Sequence, residues 1–75
     1  MLERIVSNPA ILGGKPCIKG TRISVGFILE LVASGANRDD IIKAYPHLTA
    51  EDVGQALRYA AEALKNDVIV TAEVP

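Results

Sequence analysis

The chain has 75 residues, 49% of them hydrophobic, and a formal net charge of −1 at pH 7. That length holds one domain, 1–75, and so small a core gains only about 3–5 kcal/mol, so further support is expected from self-association or a protein partner. One cysteine excludes an internal disulfide, a lone Cys17 and a lone His47 supply no metal-ligand set, no apolar run approaches the ~20 residues of a membrane span, and the N-terminus does not read as a leader, so a cytoplasmic protein without a cofactor is expected.

Charge is unevenly placed. Residues 1–23 hold Arg4, Lys15, Lys19 and Arg22 against Glu3 alone, a net +3, which leaves −4 for the rest of the chain. The same segment, 1–23, reads as a β-hairpin region. Arg4-Ile5-Val6 is a short strand candidate, Asn8-Pro9 and Gly13-Gly14 punctuate turns, and Cys17-Ile18 and Arg22-Ile23 flank Gly20-Thr21. A two-residue loop with glycine first predicts a type II′ turn, which would set Lys19 directly opposite Arg22 and make their like charges mutually destabilising. Either an acid of the helical part, such as Glu30, or an anionic site on another molecule would relieve Arg22; for Lys15 and Lys19 the outside partner is favoured. The glycines do not form a phosphate loop, because the residue after Lys15 is Pro16 and no glycine stands five before Gly14.

Residues 24–66 read as three helices. Ser24 caps the first, and Gly35 sits where a left-handed C-terminal residue belongs. This helix is apolar around most of its circumference with Glu30 its one charge, so it must be covered on more than one side, and Phe27, Ile28, Leu31 and Val32 are the candidate homodimer interface. Asn37 starts the second helix with Asp40 as its capping partner, and Pro46 ends it. Thr49 and Asp52 start the third, with Leu48 and Val53 spaced as a hydrophobic staple. Val53, Ala56, Leu57, Ala60, Ala61 and Leu64 then form one apolar stripe, and Gly54 within it suggests a helix crossing. Residues 67–75, DVIVTAEVP, alternate as a closing strand would, or fray as tails do.

The fold expected is therefore mainly α: a tri-helical helix-turn-helix bundle preceded by an N-terminal β-hairpin. If the third helix read DNA, its first turns would offer Glu51, Asp52 and Gln55, with Arg58 the next base. Gln55 and Arg58 are the candidate DNA contacts, but two carboxylates facing phosphates favour a plain bundle over a reading head. Tyr45 and Tyr59 are expected at core edges, Cys17 as a buried small hydrophobe, and no catalytic constellation emerges.

The run NPAILGGKPCIKGTRISV, then FILELVASG, then IIKAYPHLTAEDVGQALRYA, resembles the short bacterial family known as domain of unknown function 433 over nearly all of residues 5–61. Gly14-Lys15-Pro16 followed by Gly20-Thr21-Arg22 carries the resemblance most specifically, with Tyr45-Pro46, Leu48-Thr49 and Ala56-Leu57 in support. The resemblance implies the homeodomain-like tri-helical fold and an antitoxin-like role, since members are often encoded beside a small PIN-like nuclease. The resulting expectation is a non-enzymatic antitoxin that restrains such a nuclease, with Lys15, Lys19 and Arg22 as partner-binding residues and with operator DNA as a second ligand. A stand-alone DNA-binding regulator and a structural homo-oligomer are the alternatives.

Overall fold

A computed structural model describes residues 2–65; the candidate strand within 67–75 lies outside them. The element order is β1 (Ile5–Val6), a short turn at Leu12–Gly14, β2 (Cys17–Ile18), α1 (Val25–Ala33), α2 (Arg38–Ala44) and α3 (Ala50–Ala63). The chain is mainly helical with an antiparallel two-stranded sheet at its N-terminus, the expected class. Within the ladder Ile5 faces Ile18 and Val6 faces Cys17, while an isolated bridge joins Cys17 to Ser24.

The reversal between the strands is a left-handed turn. Leu12, Gly13 and Gly14 have φ of +53°, +64° and +89°, and the Gly14 and Lys15 amides donate to the Ile11 and Leu12 carbonyls. Two consecutive glycines supply that geometry without steric cost, whereas Leu12 adopts it at a cost of about 1–2 kcal/mol.

The second turn differs from its expected form. The Thr21 amide and hydroxyl both donate to the Ile18 carbonyl, so the tight turn spans Ile18–Thr21. Gly20, at φ +79°, is then the second central residue, as in a type II turn. The loop closes one step further out, where the Ile18 amide donates to the Ile23 carbonyl at 2.9 Å. Lys19 and Arg22 are consequently loop residues, and the ladder repulsion expected between them does not arise in that form.

Helix ends follow local chemistry. The Ser24 hydroxyl accepts from the Phe27 amide at 2.9 Å, and α1 ends in a Schellman motif: the Ala36 amide donates to Leu31, the Gly35 amide to Val32, with Gly35 at φ +104°. Asn37 with Asp40, and Thr49 with Asp52, form reciprocal capping boxes at 2.9–3.1 Å. Tyr45–Thr49 connects α2 to α3 as the turn of a helix-turn-helix.

The core comprises Ile18, Val25, Ile28, Ile41, Leu48, Val53, Ala56 and Ala60, and α3 is touched by both strands and both other helices. Cys17 is buried, and Tyr45 and Tyr59 pack at the core's edge as expected. Two expectations need correction. Ile28 is fully buried inside the core and is not available to a dimer interface; Leu31 is partly buried against the same core, while Phe27 and Val32 remain exposed at 37% and 38%. The stripe on α3 is also shorter than its periodicity suggests, because Ala61 and Leu64 are exposed among the described residues.

Gly54 does not mark a helix crossing. A Cβ built there would meet the Arg38 guanidinium at 3.5 Å, an ordinary contact with the far end of a flexible side chain. Nothing in the fold therefore requires glycine at this helical position, and Gly54→Ala is expected to stabilise the protein by about 0.5–1 kcal/mol, raising the melting temperature by a few degrees. A lower melting temperature in the variant would show instead that the Arg38 side chain is fixed in place.

Candidate partner-binding surface

The N-terminal segment is fastened to α3 by a polar clasp. The Arg4 Nε donates to Asp52 Oδ1 at 2.6 Å, and the Arg4 backbone amide donates to Gln55 Oε1 at 2.8 Å. Gln55 Nε2 donates in turn to Glu51 Oε2 at 2.9 Å and to Glu3 Oε2 at 3.4 Å. Asp52 is 1% exposed yet fully engaged, because its other oxygen accepts from the Thr49 amide that begins α3. Burial by itself would raise the Asp52 pKa, but the guanidinium hydrogen bond and the Thr49 amide outweigh it and hold the carboxyl below its ordinary range. Glu3 is likewise held low, by its own backbone amide and then by Gln55.

The clasp extends to the cationic loop. The Lys19 amide donates to the Arg4 carbonyl at 2.7 Å, and the Arg4 Nη2 donates to the Lys19 carbonyl at 3.4 Å. Arg4 therefore joins α3 to the Lys19–Arg22 loop, and the loop's position follows from that of Asp52. Lys15, Lys19 and Arg22 are all exposed, and among the described residues none forms an ion pair. Glu30, the internal acid considered for Arg22, does not pair with it. Lys15 stands apart from the other two, lining a cleft beside α1 with Pro16, Ser24, Gly26, Phe27 and Glu30.

The candidate DNA contacts on α3 line one groove but differ in availability. Gln55 is 8% exposed and its amide is committed to Arg4, Glu51 and Glu3, so it is not presented to a base edge. Arg58 is exposed and lines the groove with Arg38, Glu51, Gly54, Gln55 and Glu62, where charges of both signs meet. Asp52, counted from sequence among the carboxylates that would repel phosphates, points inward. The sequence reading missed the clasp: Arg4 counted only as net charge and Asp52 only as a cap. Their pairing spans 48 positions, and no local pattern signals it. Among the described residues no three of His, Cys, Asp and Glu gather as a metal site, and no helix is long and apolar enough to cross a membrane.

A depressed carboxyl pKa contributes stability that is present above the unfolded value, near pH 4, and lost as pH falls through the folded one. Asp52→Ala is expected to cost about 2 kcal/mol at neutral pH, by removing one half of the cap and the acceptor of Arg4. Arg4→Met leaves the carboxylate buried with only its Thr49 hydrogen bond. Its melting temperature is expected to fall most below wild type at neutral pH, with the gap narrowing as the medium is acidified below about pH 4. Melts recorded across that range check both, and a gap independent of pH would show that the pair does not hold the clasp.

The model of the family described as Protein of unknown function (DUF433) matches residues 5–60. An uncharacterized protein, y4eO, of Sinorhizobium fredii (strain NBRC 101917 / NGR234) is 36% identical over 74 residues, covering 97% of this chain and 34% of its own length. A crystal structure of a DUF433 member from Anabaena variabilis ATCC 29413 superposes with a TM-score of 0.75 at 31% identity, covering 91% of this chain and 66% of that one. The chain thus spans about a third of the first relative and two thirds of the second. By family match, sequence identity and shared fold, it belongs to the DUF433 family.

Proposed function

We propose that this chain is a non-catalytic binding protein of antitoxin type that restrains a PIN-like nuclease, with the Lys19–Arg22 loop as its contact. The observation that carries the reading is the presentation of Lys19 and Arg22. Both are exposed and without an ion-pair partner among the described residues, on a loop held to α3 through Arg4. A metal-dependent nuclease gathers carboxylates to hold divalent ions, and its site is strongly negative when the metal is absent. Arg22 can take a carboxylate bidentately, and Lys19 adds a point charge that speeds association. Holding the loop in place in advance lowers the entropy lost on docking.

Operator DNA is a second ligand in this reading, and the locked Gln55 leaves α3 with little means of reading bases. Arg58 and Arg38 would then contact phosphates, with weak sequence preference.

Inspection of the neighbouring reading frames for a PIN-like nuclease gene, followed by co-expression with its product, tests the proposal. Wild-type chain is expected to co-purify with the nuclease and suppress RNA cleavage. Lys19→Glu and Arg22→Glu, with unchanged circular dichroism, are expected to weaken the complex about tenfold or more each, because like charges would face the carboxylate site. Undiminished inhibition by both variants, or the absence of a nuclease gene beside this one, would overturn it.

A further inference from the structure

The outward face of α1 carries features that packing among the described residues leaves unused. Phe27 is 37% exposed, and its ring stands edge-on to Tyr45, with centroids 5.7 Å apart and planes at 84°. Tyr45 backs the ring from within the fold, so Phe27 projects as a supported aromatic anchor. Gly26, one residue earlier, is exposed as well. A Cβ there would meet only the Ser24 hydroxyl, at 3.8 Å, and its φ is not one that excludes side chains. Helix formation alone would favour alanine at that position, and internal contacts do not forbid it. One turn on from Gly26, Glu30 is exposed with no ion pair among the described residues.

Lys15 and Pro16 form the other wall of this cleft. The Val25 amide donates to the Pro16 carbonyl at 3.0 Å, which lays the Lys15-Pro16 segment beside the first turn of α1. Lys15 and Glu30 thus line one cleft around Phe27 without bonding to each other. A single patch therefore holds an aromatic ring, a glycine that allows close approach, and a cation and an anion that are unpaired among the described residues.

An isologous interface needs a self-complementary patch, because residue i of one copy meets residue j of the other and j meets i, and a patch that carries both such a cation and such an anion meets that need. We propose that the occupant of this cleft is a second copy of the chain, related by a two-fold axis near Phe27, with Lys15 of each copy paired to Glu30 of its partner. The aromatic rings and the bare backbone at Gly26 form the close-packed centre, and the two reciprocal ion pairs at the rim set the register. This interface replaces the one expected from sequence: Phe27 is retained, Ile28 is buried in the core, and the polar pair is new. It does not depend on the nuclease reading, since neither Lys19 nor Arg22 lines the cleft.

Sedimentation equilibrium with charge-reversed chains tests the reciprocity. Wild type is expected to be dimeric at tens of micromolar. Lys15→Glu and Glu30→Lys each place like charges together at two points of a symmetric dimer, and each is expected to weaken self-association by about tenfold or more. Mixed in equal amounts, the two variants restore both pairs, and a heterodimer of wild-type strength is expected. Zero-length carbodiimide coupling of the wild-type dimer should also join Lys15 to Glu30 between copies, a readout that needs no variant. A wild-type chain that stays monomeric at these concentrations, a dimer indifferent to both reversals, variants that fail to combine on mixing, or a cross-linked dimer without the Lys15–Glu30 peptide would each overturn the proposal.

Discussion

Arg4 and Asp52 make the contact on which the arrangement of the whole chain rests. The two-stranded sheet is too short to stand by itself, since a pair of two-residue strands in water lacks the area to offset its ordering entropy. It is held by being laid on α3, where Ile18 enters the core and the Arg4 guanidinium reaches a carboxylate from which water is excluded. Asp52 serves both partners with separate oxygens, one capping α3 at Thr49 and one receiving Arg4. The start of α3 and the seat of the N-terminal segment are thereby specified by one side chain. Gln55, one turn later on the same face, repeats the arrangement with the backbone of residue 4.

Legibility from sequence divides along the same line. The Thr49–Asp52 capping box, the Asn37 cap, the Ser24 cap and the Gly35 terminus depend on residues within a few positions of each other, and local pattern located all of them. The clasp was not legible, because Asp52 already had a complete local explanation as a capping residue and nothing in its neighbourhood signals a second partner. Gln55 was misplaced for a related reason: helical periodicity sets its angle on α3, but which side faces the N-terminal segment is a tertiary fact. Gly20 was located as a turn residue and assigned the wrong position within the turn. The deciding element there is the Thr21 hydroxyl, which bonds to Ile18 and widens the loop.

The surface divides according to what the clasp uses and what it leaves free. Of the four bases in residues 1–23, Arg4 is spent internally, Lys19 and Arg22 stand on a loop that Arg4 positions, and Lys15 lines the α1 cleft along with Glu30. A segment that reads from composition as one cationic patch therefore presents two surfaces with separate chemistry. One carries positive charge alone and suits an acidic partner; the other carries both signs around an aromatic ring and suits a copy of itself. Since Asp52 faces inward and the Gln55 amide is committed to the clasp, the groove beside α3 is lined by Arg58, Glu51 and Glu62 together with Arg38 of α2, which is a balanced surface and not a basic stripe.

Amide hydrogen exchange at Lys19 tests the central role of the clasp most directly, because this amide donates to the Arg4 carbonyl. If the N-terminal segment and α3 form one cooperative unit, Lys19 should open with the same global event as the Val53 amide of α3, their opening free energies agreeing to within about 1 kcal/mol. Rapid exchange at Lys19 beside a fully protected Val53 would show that the sheet detaches while the helical bundle stays folded, and would contradict the account.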